Sequence, residues 1–175
     1  MTRLVVLAWG NPSRGDDAIG PEFLRRAELL VPAAAPEIEF VTDFQLQPEH
    51  CTDLAGRDLA LFVDASTAAA APFAFGAVVP ARDHTFTSHA MSPGALLAAY
   101  GAAFAEVPPP GFLLAIRGER FGLGEPVGAN AREHLRQALA FYERLLADPS
   151  AEAWRAKGNA PPPTAGTGQR FWSRM

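Results

Sequence analysis

The sequence predicts an α/β domain, and three observations predict it. Short apolar or β-branched runs alternate with longer stretches of helical period. The strongest of those runs are unbroken, as strands covered on both faces are. A turn-rich acidic stretch directly follows the first of them, where an open α/β sheet binds its ligands. With 175 residues, 49% hydrophobic and 19% charged, the chain has material for one domain with a sizeable core and too little for two.

Taken in order, residues 4–9 (LVVLAW) read as a buried strand. Residues 19–31 (IGPEFLRRAELLV) set Ile19, Phe23, Ala27 and Leu30 on one helix face. Residues 37–42 (EIEFVT) alternate polar and apolar, the pattern of a more exposed strand, and residues 48–55 suit a short helix. Another buried strand is expected at 58–63 (DLALFV), and a weaker one, interrupted by Gly76, at 73–79. Ser92 and Pro93 make an N-cap and first helical position for a helix running to residue 104. Residues 112–116 supply a further strand. Residues 130–146 form an amphipathic helix with Leu135, Leu139, Tyr142 and Leu146 on one stripe. From residue 149 the composition turns to PPP and scattered glycines without period. The expectation is a domain of residues 1–148 and a mobile tail of 149–175, whose two tryptophans and Phe171 are able to dock on a surface.

Several classes are set aside by composition. A net charge of −4 and a pI near 5.5 leave no basic footprint for nucleic acid or an anionic membrane, and no apolar run approaches the ~20 residues of a membrane-spanning helix. The single cysteine, Cys51, cannot form an internal disulfide, and the N-terminus enters a strand with no signal-peptide layout, so the cytoplasm is the expected compartment. No hydrophobic stripe marks a dimer, and a monomer is expected.

The acidic stretch is residues 10–20, GNPSRGDDAIG. Its plain reading is structural: Asp16 as a helix N-cap and Asp17 as a carboxylate favoured by the helix dipole. Neither G-x-G-x-x-G nor G-x-x-x-x-G-K-[ST] is present, and two carboxylates at a helix mouth repel an anion, so a cation is the ligand this loop invites. Asp64 directly follows the apolar run 59–63, at the equivalent end of another strand. His89 lies in a loop-like stretch just before Ser92, with His84 as its competitor; His50 and His134 fall on or near helices. Two carboxylates and one imidazole leave open positions on a divalent transition metal. The chain has no G-x-S-x-G elbow and no H-E-x-x-H pair, and nothing marks Cys51 as a nucleophile, so those hydrolytic mechanisms lack support.

The stretch Gly10-Asn11-Pro12-Ser13-Arg14-Gly15-Asp16-Asp17-Ala18-Ile19-Gly20 is similar to the N-terminal motif of the hydrogenase maturation endopeptidases, which remove a C-terminal extension from the nickel-bearing large subunit of [NiFe]-hydrogenases. Phe62-Val63-Asp64-Ala65 and Thr87-Ser88-His89 resemble the two later motifs, in order, within a span from residue 3 to about 147. Asp43 to His50, DFQLQPEH, resembles the branch serving soluble, NAD-reducing-type hydrogenases, and it departs from the many relatives that carry a Gly-Thr or Gly-Gly turn where this chain has Asp43-Phe44-Gln45-Leu46. The resemblance implies a three-layer α/β/α sandwich around a mostly parallel twisted sheet. It implies catalytic and nickel-engaging roles for Asp17, often Glu in relatives, with Asp64 and His89. The nickel is supplied by the large-subunit precursor, which is the partner. Asp16 then supports the site or caps the helix, and Asn11 and Arg14 shape the loop or touch substrate. Two other functions stay open: a non-catalytic chaperone of the immature subunit, and a small-substrate hydrolase such as a nucleosidase or aminopeptidase.

Overall fold

A computed structural model of the chain describes residues 1–82 and 91–159. Among the described residues five strands, β1 (Arg3–Trp9), β2 (Glu37–Asp43), β3 (Leu59–Ser66), β4 (Phe73–Val78) and β5 (Gly111–Arg117), form one sheet in the order β2-β1-β3-β5-β4. β1, β2, β3 and β5 run parallel, and β4 joins the β5 edge antiparallel. Alternate residues of each strand serve opposite faces, so β1 gives Leu4, Val6 and Ala8 to one core and Val5, Leu7 and Trp9 to the other.

The first core is closed by α1 (Ile19–Ala27) and α4 (Ala129–Leu146). The second is closed by α2 (Cys51–Leu54) and α3 (Pro93–Phe104). Helices thus cover both faces, the three-layer arrangement expected, and the central strands read as unbroken apolar runs because neither of their faces meets water. Ser92 is the N-cap of α3 as expected, its hydroxyl accepting the Ala95 N–H at 3.0 Å.

The expected helix of 19–31 is α-helical only to Ala27. It tightens into a 3-10 turn at Glu28–Leu30, and Val31 is extended ahead of Pro32, which disfavours a helical residue before it. The expected helix of 48–55 is a 3-10 turn, Pro48–His50, followed by the single turn of α2. β3 runs three residues past the expected end at 63, to Ser66, paired throughout with β5.

The boundary after residue 148 requires correction. Ser150 caps a fifth helix, α5 (Ala151–Ala156), through the Ala153 N–H, and Trp154 is wholly buried. The indole packs edge-on against Phe75 and Phe112 and donates Nε1–H to the Leu145 carbonyl at 3.1 Å. Beyond it, Asn159 works like a short extra strand. Its Oδ1 accepts the Phe75 N–H at 2.8 Å, its Nδ2 donates to the Phe73 carbonyl, and its own N–H donates to the Phe75 carbonyl. These bonds occupy backbone groups on the outer edge of β4 that would otherwise be open to another chain. The rest of the expected tail, residues 160–175, lies outside the described residues.

Tyr142 of α4 is fully buried against Phe23, rings 5.5 Å apart at 72°, and its hydroxyl has no hydrogen-bond partner among the described residues. Burial pushes its pKa up. A buried hydroxyl without a partner costs more than a ring without one, so Tyr142→Phe is expected to raise stability by about 1 kcal/mol. For a domain of this size that is a gain of roughly 2–4 °C in Tm. A lower Tm in differential scanning calorimetry would contradict it.

Candidate functional site

After β1 the chain crosses to β2 on one side, and β3 lies on the other side of β1. The carboxyl ends of β1 and β3 therefore flank the topological switch point, the crevice where doubly wound sheets place their ligands. The stretch 10–20 opens from β1 into this crevice, and Asp64 lies near the carboxyl end of β3.

Two glycines let the first loop take its path. Gly10 has φ +149°, and a Cβ there would lie 2.0 Å from the Asp17 carbonyl oxygen; a Cβ on Gly20 would lie 2.0 Å from the carbonyl oxygen of Trp9. Only glycine allows the loop to fold onto itself and α1 to lie this close to β1. Asn11 shapes the turn: its Oδ1 accepts the Ser13 N–H and its carbonyl accepts the Arg14 N–H. Asp17 closes it, its Oδ2 accepting the Asn11 N–H at 2.7 Å.

The adjacent aspartates have separate duties. Asp16 is buried and caps nothing in α1. Its Oδ2 accepts the N–H groups of Glu119 and Arg120, and its Oδ1 accepts that of Gly128 at the mouth of α4. With Gly15 N–H on Glu125, Asp16 N–H on Arg120 and Gly124 N–H on Ser13, these bonds fasten the first loop to the β5–α4 loop. Asp16 is thus a brace that fixes where its neighbour stands. Its partners, more than a hundred positions away, left no trace in sequence spacing.

Asp17 and Asp64 are both partly buried. Desolvation holds the Asp17 carboxyl above its ordinary value, against the pull of the Asn11 N–H and of the Arg14 charge. Asp64 is pushed much further, first by burial and then by the negative charge of Asp17, with the Ala65 N–H only partly compensating. The two carboxylates are therefore close enough to repel, and the folded chain holds them together at a cost in the absence of a cation. His89 and His84 lie outside the described residues. No group of three or more His, Cys, Asp or Glu side chains positioned to hold a metal occurs among the described residues. His134 is engaged elsewhere, its Nδ1 donating to the Arg117 carbonyl at 2.9 Å. Cys51 is buried with its thiol on the Leu96 carbonyl and its pKa raised by burial, which makes it inert.

Sequence reasoning passed over one further pair at this rim. Asp43 ends β2 opposite Trp9, and His50 Nε2 lies 3.4 Å from its carboxylate. Both belong to the stretch DFQLQPEH, where a carboxylate and an imidazole seven positions apart, at a strand end and a helix start, were the available signal.

A parallel-cored α/β/α sandwich with a carboxylate pair at its switch point defines the class. The sequence matches no protein-family model, and no curated protein matches it. Solved structures do share the fold. The hydrogenase maturating endopeptidase HybD from E. coli superposes with a TM-score of 0.66 at 22% identity, covering 85% of this chain and 94% of that one. The [NiFe] hydrogenase maturation protease HycI from Thermococcus kodakarensis does so with a TM-score of 0.63 at 22% identity, over 84% and 94%. An endopeptidase from Escherichia coli gives 0.61 at 21% identity, over 94% and 100%. The chain has the fold of the hydrogenase maturation proteases, as its resemblance to them implies.

Proposed function

We propose that this chain is an endopeptidase that recognises nickel in a [NiFe]-hydrogenase large-subunit precursor and removes the precursor's C-terminal extension. The carrying observation is the pair Asp17 and Asp64, two partly desolvated carboxylates held in mutual repulsion at the switch point of a maturation-protease fold. A divalent cation relieves both. The donor chemistry suits nickel brought by the substrate: two carboxylate oxygens from described residues, with the imidazole of His89 as the third ligand on the strength of its motif.

When held there, the substrate's nickel supplies Lewis-acid polarisation at the scissile peptide. The chain's own residues do the rest. The Asn11 N–H fixes the orientation of Asp17, and the Asp16 brace fixes the loop that carries it. Burial and the Asp17 charge shift Asp64 toward its protonated form, and a cation beside the pair pulls it back toward the carboxylate. Its carboxylate then accepts the proton of the attacking water. Cleavage is thereby tied to metal loading, since the cation favours the carboxylate form in which Asp64 acts as base.

The test is mass-spectrometric detection of the released C-terminal peptide after incubation with nickel-loaded and nickel-free precursor. Loss of the peptide from the loaded form only is expected, with a drop of about 10³-fold or more in Asp17→Ala, Asp64→Ala and His89→Ala. Binding of the precursor without cleavage by the wild-type chain would point to a chaperone. Cleavage unaffected by the three substitutions would remove the site.

A further inference from the structure

We infer that Asp43 and His50 form a second working pair at the rim, in which Asp43 accepts a backbone N–H of the client segment and His50 is the positioning residue that aims it. The inference rests on the endopeptidase reading above and extends it to residues that reading does not use.

The sheet register places Asp43 beside Trp9, the last residue before the acidic loop. Its main-chain carbonyl accepts the Gly10 N–H at 3.1 Å, so the end of β2 and the start of that loop are fastened together. The next N–H along, that of Asn11, is the one that orients Asp17. Asp43 thus stands one strand over from the carboxylate pair, on the same edge of the sheet, with its side chain about one-third exposed.

His50 is buried, and both of its ring nitrogens have assignments. Nδ1 accepts the Gln47 N–H at 2.9 Å, so it carries no proton. The proton of the neutral ring is therefore on Nε2, which faces Asp43 Oδ2 at 3.4 Å. The other oxygen, Oδ1, accepts the Phe44 N–H at 2.6 Å. One carboxylate oxygen is thus held by a hydrogen bond, the other stands 3.4 Å from the imidazole, and lone pairs remain for a peptide N–H.

A purely structural role for His50 exists on the same geometry. With Gln47 it closes a capping box over the Pro48–His50 turn. That box uses Nδ1 alone, and its usual occupant at this position is Glu or Gln. Nε2, 3.4 Å from a rim carboxylate oxygen, is surplus to it. Glu at position 50 keeps the acceptor for Gln47 and removes the donor to Asp43, whereas Gln keeps an acceptor and a donor.

The experiment measures kcat and KM of the full chain on the nickel-loaded precursor for Asp43→Asn, His50→Glu, His50→Gln and the double variant Asp43→Asn with His50→Glu, alongside the Tm of each. Asp43→Asn and His50→Glu are each expected to lower kcat/KM about tenfold or more. The double variant is expected to be no worse than the poorer single, because the residues act as one unit. His50→Gln is expected to recover most of the lost rate. Wild-type kcat/KM in His50→Glu would reduce the imidazole to its cap and overturn the inference. So would wild-type kcat/KM in Asp43→Asn, a variant at a part-exposed position whose folding does not depend on the cap. A wild-type chain that leaves the precursor uncut overturns the endopeptidase reading and this inference together, whereas a cutting wild type with indifferent variants overturns this one alone.

Discussion

Trp154→Ala is expected to unfold the protein at a markedly lower temperature. The side chain is fully enclosed between Phe75 and Phe112, and truncating a large aromatic residue in such a slot costs about 3–5 kcal/mol. The lost Nε1–H also removes a hydrogen bond to the Leu145 carbonyl, which keeps the Asp148 N–H, a further loss of about 0.5–1.5 kcal/mol. At roughly 2–4 °C per kcal/mol for a domain of this size, the expected fall in Tm is on the order of 10 °C or more. Trp154→Phe, which keeps most of the ring contacts and loses the hydrogen bond, is expected to fall by less. A chain ending at residue 148 is expected to lose at least as much as Trp154→Ala, because it also uncovers the β4 edge that Asn159 occupies. Calorimetry on the three variants checks the series. A Trp154→Ala midpoint within about 2 °C of wild type would mean that the C-terminal segment does not belong to the cooperative unit.

That segment also shows where sequence reading stops. β1, β3 and β5 were legible because burial on both faces demands unbroken apolar runs, and α1 and α4 because one apolar stripe against a sheet demands a helical period. Six residues of α5 are too few to display a period. Its place is decided by a slot that Phe75 and Phe112 make only once the sheet has formed. The site divides the same way. Asp17 and Asp64 were visible as carboxylates at strand ends, and the fold brings them within repelling range at one crevice. The separate duty of Asp16 was not visible, since its acceptor atoms serve N–H groups of Glu119, Arg120 and Gly128. A capping role is what local sequence offers an aspartate at a helix mouth; the alternative appears only when a distant loop folds against it. The Asp43–His50 pair has no chemical signature in sequence beyond its two residue types, because the contact depends on a 3-10 turn that returns the imidazole to the end of β2.

Asp64→Asn is expected to stabilise the free protein while abolishing cleavage, and the stabilisation is expected to depend on pH in one direction. Burial and the charge of Asp17 raise the folded-state pKa of Asp64 well above its unfolded value of about 3.9. Below that unfolded value the carboxyl is protonated in both states and contributes no difference. As the pH rises past it, the unfolded chain releases the proton first, the folded chain binds more protons than the unfolded one, and stability falls with pH. The decline ends only above the raised folded-state value, where the full cost of ionised Asp64 beside Asp17 is present. Asparagine has the same shape and no charge, so the gap in Tm between variant and wild type is expected to be small near pH 4 and to widen toward neutral pH. A gain of ~0.5–2 kcal/mol, the usual yield of removing one unfavourable feature, is several degrees at most. Nickel-loaded precursor should reverse the order, since a cation placed between the carboxylates stabilises the wild-type pair and does not stabilise the amide. A Tm gap that is flat between pH 4 and 8, or that narrows as the pH rises, would show that Asp64 is not strained in the free protein. The carboxylate pair would then lose its standing as a site completed by its client's metal.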